Sequence, residues 1–384
     1  MDSVKPPSKV DVLCIYYPEW HAYPEGDAIF GKGRSEWDLV DTATPRFKGH
    51  EQPVRLTGGK FDDSDPAAVA REIDLASGAG IDVFVYDWYW AEGRPIQHES
   101  LERGFFKAAN RSKMKFALMW ANHDRTHVFR NDMGKNRDRL FWKLEWTAEE
   151  FLAAIDYCIR TYFTRPEYYL KDGKPFFSVY SAVKLIKAVG GPEKMRLTLE
   201  EARRRAVSAG LAGIHFSAMA ISPDDFANLV SAGYETISSY NITPLSFDEN
   251  ATKGENDEMQ LTSRVGYDEF LARQRRVNLQ SVAKSPVPYL RVATRGWDCS
   301  PRCRLEEPFP WRQIWYPYEP IVVGVRADAF AELVGQLRAA AEEDPKRPGA
   351  ILINAWNEFT EGCYLLPDEH HGDSFLREIG RKLK

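Results

Sequence analysis

The chain alternates short apolar runs with stretches of helical spacing, and this alternation limits its possible folds more than any other feature. The runs occupy residues 10–17, 81–86, 114–120, 176–180, 213–220, 234–240, 287–293 and 350–356, and they are rich in β-branched and aromatic residues. Several are apolar almost throughout, as parallel strands buried on both faces must be. Helical faces lie between them: Val69, Ile73 and Ala76; the stretch 101–109; Phe151, Ile155, Ile159 and Tyr162; then 192–208, 223–231 and 267–283. Phe330, Leu333, Val334, Leu337 and Ala341 make the next face, and a last helix is expected over 374–383. Eight strands alternating with helices predict an α/β fold, a single (β/α)8 TIM barrel. No linker-like stretch divides the chain, so one catalytic barrel is expected across 1–384, with a tail at 1–9.

Four connections are long: 18–65, 123–146, 241–266 and 294–324. Each follows a strand, so all four rise from the face where such barrels carry their chemistry, and together they would wall a cleft. The strand ends at that face supply Glu19, Trp20 and His21; Asp87 and Trp88; Trp120, Asn122, His123 and Asp124; Tyr240 and Asn241; Arg295, Trp297 and Asp298; and Trp356, Asn357, Glu358 and Glu361. Carboxylates, amides and indoles on one rim suit a sugar more than a dinucleotide. The 11 Trp, 17 Tyr and 21 Phe point the same way, since sugar rings stack on flat apolar faces, although aromatic residues also simply fill cores.

A net charge of −5 with no long basic run disfavours nucleic acid and anionic membrane as partners, and no protein partner is implied. The five scattered cysteines do not form a disulfide framework; Cys299 and Cys303 could pair or bind metal, but with no second pair at zinc-site spacing they read first as incidental thiols. The N-terminal residues lack an apolar leader core, which fits either a cytoplasmic protein or one whose leader has been removed. No cofactor motif stands out.

The segment from Ala355 to Gly362, Ala-Trp-Asn-Glu-Phe-Thr-Glu-Gly, is the sharpest chemical signal. Two carboxyls three residues apart in a turn can face one cleft, and glycosyl transfer to water needs one to protonate the leaving oxygen and another to act as base or nucleophile. Trp356 and Phe359 could raise the pKa of one of them by excluding water. Spacing alone favours the plainer reading, in which one Glu caps the turn and the other is solvated.

Four segments carry a resemblance: Gly31-Lys-Gly-Arg-Ser-Glu-Trp37, Gly80-Ile-Asp-Val-Phe-Val-Tyr-Asp-Trp-Tyr-Trp90, Met119-Trp-Ala-Asn122 and Trp356-Asn-Glu-Phe-Thr-Glu-Gly362. In this order they resemble the WbsX-like family, itself similar to glycoside hydrolase family 99, the endo-α-mannosidases. The resemblance implies a (β/α)8 fold and a retaining, substrate-assisted glycosidase. Glu358 would be the base on the substrate's own 2-hydroxyl, and Glu361 the acid and then the base at the scissile oxygen, by way of a 1,2-anhydro sugar. An α-mannoside-type linkage is the first expectation. Phe359 and Thr360 stand where the mannosidases carry Trp and His, so the sequence leaves the sugar open.

Weaker candidates for substrate contact are Glu36, Trp37, Asp87, Trp88, Trp120, Asn122, His123, Tyr240, Arg295, Trp297, Asp298, Trp356 and Asn357. For several a structural reading stands beside the functional one: loop anchoring for Glu36 and Trp37, a local hydrogen bond for His123, an Arg–Asp pair for Arg295 and Asp298. Asp368-Glu-His-His-Gly-Asp373 resembles a metal cluster, but neighbours in a tight loop rarely converge on one ion, so no metal is expected. Ser64-Asp65-Pro66 reads as a helix start. A glycosyltransferase of surface-polysaccharide synthesis is the alternative to a hydrolase, although no diphosphate-binding motif stands out; a barrel that binds carbohydrate without turnover is the third reading.

Overall fold

The structure, a computed structural model, describes residues 10–27, 31–126, 140–246, 263–312 and 316–384. The proposed tail at 1–9 and the central parts of the connections at 123–146 and 241–266 lie outside the described residues.

Nine parallel strands form a sheet nearly closed into a barrel, with helices between them. They are β1 (Asp11–Tyr16), β2 (Val83–Ala91), β3 (Lys115–Trp120), β4 (Lys174–Val179), β5 (His215–Met219), β6 (Thr236–Ser238), β7 (Tyr289–Leu290), β8 (Val292–Thr294) and β9 (Ala350–Asn354). The helices are α1 (Trp37–Asp41), α2 (Pro66–Gly78), α3 (Ala148–Thr161), α4 (Ala182–Val189), α5 (Pro192–Ser208), α6 (Phe226–Ser231), α7 (Tyr267–Lys284), α8 (Ala327–Glu342) and α9 (Ser374–Leu383). β1 sits between β9 and β2 in register Leu13↔Leu352 and Leu13↔Val83, which brings the first and last strands of the chain together.

The expected (β/α)8 barrel is present, with a seam in its seventh stave. β7 pairs with β6 and β8 pairs with β9, while Arg291 between them turns its side chain onto Asp344 at 2.9 Å. On the side of β8 away from β9, two amide side chains of α7 complete the ladder. Asn278 bonds both the N–H and the C=O of Val292, and Gln274 both those of Thr294, all at 2.8 Å. Buried main-chain groups need partners, and here buried amides supply what a strand would.

Two expected elements differ. The second strand runs on to Ala91 and folds back as a hairpin onto Arg94–Ile96. The expected helix at 101–109 is instead one wide turn, Ser100–Gly104, followed by a tight one, Phe105–Lys107. The backbone at Gly104 lies so close to α2 and the residues before it that a Cβ there would stand 2.3 Å from the Asp63 carbonyl oxygen and 2.8 Å from the Val69 side chain. The helix start at Asp65 is as expected: its carboxylate accepts the Ala67 N–H at 3.0 Å and Pro66 opens the helix.

Between the strands and α2 lies a buried polar layer. The Trp356 indole N–H donates to Glu72 Oε2 at 2.7 Å, and the His21 imidazole meets Asp63 at 2.6 Å. Burial pushes the Glu72 carboxyl up to about 8, against the opposing bond from Trp356. Burial also disfavours the His21 cation, but the Asp63 carboxylate outweighs it and raises the imidazole to about 10. Both folded-state values lie above their unfolded ones. The stability these groups confer is therefore full at acid pH and is lost as pH rises, through about 8 for Glu72 and about 10 for His21. Glu72→Gln keeps an acceptor for Trp356 and cannot ionise. Its melting temperature should fall by about 2 °C less than wild type between pH 7 and 9, and parallel melting curves for the two proteins would contradict the assignment.

Candidate active site

The site follows β9. Residues Asn357–Glu358 and Cys363–Tyr364 pair as a small antiparallel hairpin around the tight turn Phe359–Glu361. Gly362 closes it at φ +70°, where a Cβ would lie 2.9 Å from the Asp298 N–H nitrogen. This turn sends both Glu358 and Glu361 into the same buried end of the barrel.

A single guanidinium gathers them. Arg302, from the fourth long connection, lies 3.0 Å from Glu361 Oε1, 3.8 Å from Glu358 Oε2 and 2.6 Å from Glu36 Oε1. It also donates to Thr360 Oγ1 at 2.9 Å, and the Thr360 hydroxyl donates to Glu36 at 2.5 Å. Tyr316 contacts Arg302 and donates to Glu361 Oε1 at 2.8 Å. On the other side, the Tyr240 hydroxyl lies 2.8 Å from both Glu358 Oε1 and Asp87 Oδ2.

Protonation follows from this geometry. Burial and the neighbouring Glu361 carboxylate raise Glu358 well above the usual carboxylate range, and burial raises Glu361 despite Arg302 and Tyr316. Asp87 is raised well above its usual value by burial, then by Glu361 and Glu19, against the bond from Tyr240. Burial and the surrounding carboxylates keep the Tyr240 phenol protonated. A phenol has one hydrogen, so it donates to one of its two carboxyls and accepts from the other, and either Asp87 or Glu358 must carry a proton. The two titrate as a coupled set with Glu361.

The expected residues separate by the strand's period of two. Along β2, Asp87 and Tyr89 face the barrel's interior end while Trp88 and Trp90 face the helices, against Tyr157 of α3. Trp88 is therefore a core residue, contrary to the expectation of substrate contact. Trp120 is likewise turned outward, onto Trp90 and Phe151. Trp356 points to Glu72 beneath α2. Trp37 stacks on Phe359 at 5.2 Å and bonds the Phe61 carbonyl, so it anchors its loop. Asn357 and Asn122 clamp backbone, at Tyr17 and Ser181 respectively. Arg295 lies over Tyr364 and Phe375 and beside Asp368, while Asp298 accepts from Gln52 at 2.7 Å and meets His50 at 2.9 Å. These two do not form a pair. Trp297 is buried beside Glu319, whose carboxyl burial pushes up to about 7.

Glu36, Asp87, Tyr240, Glu358 and Glu361 are thus brought together, and half-buried His123 stands at the rim against Tyr89 and Tyr180. Arg302, Tyr316, Glu319 and Tyr180 were not singled out from the sequence. Tyr180 is 37% exposed, edge-on to Tyr240 at 5.3 Å, directly after β4; its place at a strand end was the available signal. Arg302 and Tyr316 sit in an irregular proline-rich connection with no periodicity to mark them. Among the described residues, Glu51, His370 and His371 also offer ligand atoms within 4.8 Å of one another.

The fold, a (β/α)8-type barrel, is shared with solved structures. The GH99 endo-alpha-mannosidase from Bacteroides thetaiotaomicron superposes with a TM-score of 0.57 at 14% identity, covering 98% of this chain and 96% of that one. A structure described as a glycoside hydrolase-like protein matches at 0.57 and 12%, covering 100% and 98%. The chain belongs to the family described as glycosyltransferase WbsX, whose family model matches residues 12–379. An uncharacterized protein WxcX from Xanthomonas campestris pv. campestris is 25% identical over 373 residues, covering 95% of this chain and 48% of that protein. The chain thus spans about half the length of that relative.

Removing Arg302 leaves several buried carboxyls without a cation. Arg302→Met should cost about 3–5 kcal/mol at pH 7, measured by urea unfolding. The loss should shrink at pH 5, where the freed carboxyls are protonated in the folded state; an equal loss at both pH values would contradict the arrangement.

Proposed function

We propose that this protein is a retaining glycoside hydrolase acting on an oligo- or polysaccharide through participation of the substrate's 2-hydroxyl. The observation that carries the reading is the pair of buried carboxyls on one turn, each with its own partner set. A protonated Asp87 donates to Tyr240, and Tyr240 donates to Glu358; this bond, with Glu361 protonated and uncharged, opposes the burial that raises Glu358 and lets it face the sugar as a carboxylate. Glu358 removes the proton of the 2-hydroxyl while O2 attacks the anomeric carbon. Glu361, protonated, delivers its proton to the leaving oxygen. A 1,2-anhydro sugar results. Water then opens it at the anomeric carbon, Glu361 takes the water proton, and Glu358 returns its proton to O2, giving net retention.

Arg302 at 3.0 Å opposes the proton on Glu361, while the low-dielectric burial and the Glu36 carboxylate favour it. Tyr180 and His123 at the rim suit stacking and hydroxyl contact with a sugar. An α-mannoside-type linkage is the first candidate substrate. The family's description favours a second reading, transfer from an activated sugar donor.

The test uses α-mannans and bacterial and algal polysaccharides without any nucleotide sugar, with released ends followed by mass. Wild type should release ends and Glu361→Gln should lose at least roughly 100-fold in turnover while still binding. An aryl glycoside whose leaving group needs no protonation should restore the first step in Glu361→Gln but not in Glu358→Gln. Equal rescue of both would exchange their roles, cleavage of a 2-deoxy substrate would end the participation mechanism, and release only with a nucleotide sugar present would establish transfer.

A further inference from the structure

Two segments distant in sequence are sewn together by main-chain bonds. Thr57 N–H donates to the Pro367 carbonyl at 3.0 Å and Glu369 N–H to the Arg55 carbonyl at 2.8 Å. This seating places Glu51 against the side chains of His370 and His371. Glu51 Oε1 lies 3.0 Å from His370 Nε2, and Glu51 Oε2 lies 3.9 Å from His371 Nε2. One ligand atom from each of the three residues falls within 4.8 Å of the others.

The objection from sequence was that neighbours in one tight loop do not converge. Here the loop supplies only the two imidazoles, set edge-on with ring centroids 4.6 Å apart, and the carboxylate comes from the first long connection. Asp368 organises the loop by accepting the His370 and His371 N–H groups at 2.8 and 2.5 Å. Its other oxygen lies 3.3 Å from His371 Nδ1, the nitrogen that Arg295 also approaches at 3.3 Å. Arg295 can only donate, so it competes with Asp368 at Nδ1; in the tautomer whose Nδ1 proton is held by Asp368, Nε2, the nitrogen facing Glu51, is the free electron pair. A carboxylate behind a histidine in this way fixes the tautomer and orientation that a metal needs.

We propose that Glu51, His370 and His371 bind one first-row divalent ion, Zn2+ foremost, which ties the first long connection to the segment before α9. Two imidazoles and one carboxylate select Zn2+ or its first-row neighbours over Ca2+ and Mg2+, which prefer all-oxygen sets. The adjoining cavity of about 300 Å3, lined by Gln52, Arg55, Tyr364 and Asp368, gives water access to the remaining coordination position. The ion also bears on the catalytic turn: His50 and Gln52, either side of Glu51, hold Asp298, whose N–H donates to the Glu361 carbonyl at 2.7 Å.

The experiment is calorimetric titration of tag-free, chelator-stripped protein with Zn2+, with melting curves alongside. Wild type should take up one ion per chain and melt at a higher temperature with Zn2+ present. Glu51→Gln and His370→Ala should each bind at least roughly tenfold more weakly and lose the thermal shift. His370 is 62% exposed on its side chain, so its removal leaves the fold standing. The proposal is overturned by an absence of stoichiometric uptake, by variants that bind as wild type does, or by Ca2+ binding as tightly as Zn2+.

Discussion

The candidate site at the end of the barrel depends on one buried cation. Arg302 lies among Glu36, Glu358 and Glu361, which come from the first long connection and from the turn after β9, and it arrives from a third segment. Without a positive charge these carboxyls would repel one another in a medium that solvates none of them. With it, three stretches of irregular chain have a common reason to meet. The hydroxyls of Thr360 and Tyr316 complete the guanidinium's bonds, so the ion pair is enclosed by polar partners rather than stranded in an apolar core.

The same arrangement sets the chemistry. Carboxyl groups outnumber the cation, and Tyr240 can satisfy both Asp87 and Glu358 only if one of them is protonated. Protons therefore belong to the resting site as structural members. A catalyst that must both give and take a proton at neutral pH begins with this advantage.

The barrel was legible in the sequence because buried parallel strands are apolar almost throughout and recur with helices between them. So was the turn at Glu358 and Glu361, where two like residues stand at a strand end. Much of the aromatic signal was misread for one physical reason: a residue next to a strand end faces the cleft or the helices according to parity. Asp87 and Trp88 are neighbours in sequence but lie on opposite faces, and Trp88, Trp120 and Trp356 all fall on the helix side. Arg302 and Tyr316 left no trace, since a long connection without periodicity says nothing about which side chain turns inward. Asn122 and Asn357 looked like sugar-binding amides, and polar residues that clamp backbone carry the same letters as those that bind hydroxyls.

The seam in the seventh stave has a further consequence. The register pairs between neighbouring strands are main chain to main chain, and those rungs are indifferent to which side chain occupies a position. At Val292 and Thr294 each pair of rungs is made by one residue of α7. A single codon change at Gln274 or Asn278 can therefore cut two rungs at once. Heritable variation can loosen the ring from outside the strands there, at the stave that leads into the connection carrying Arg302.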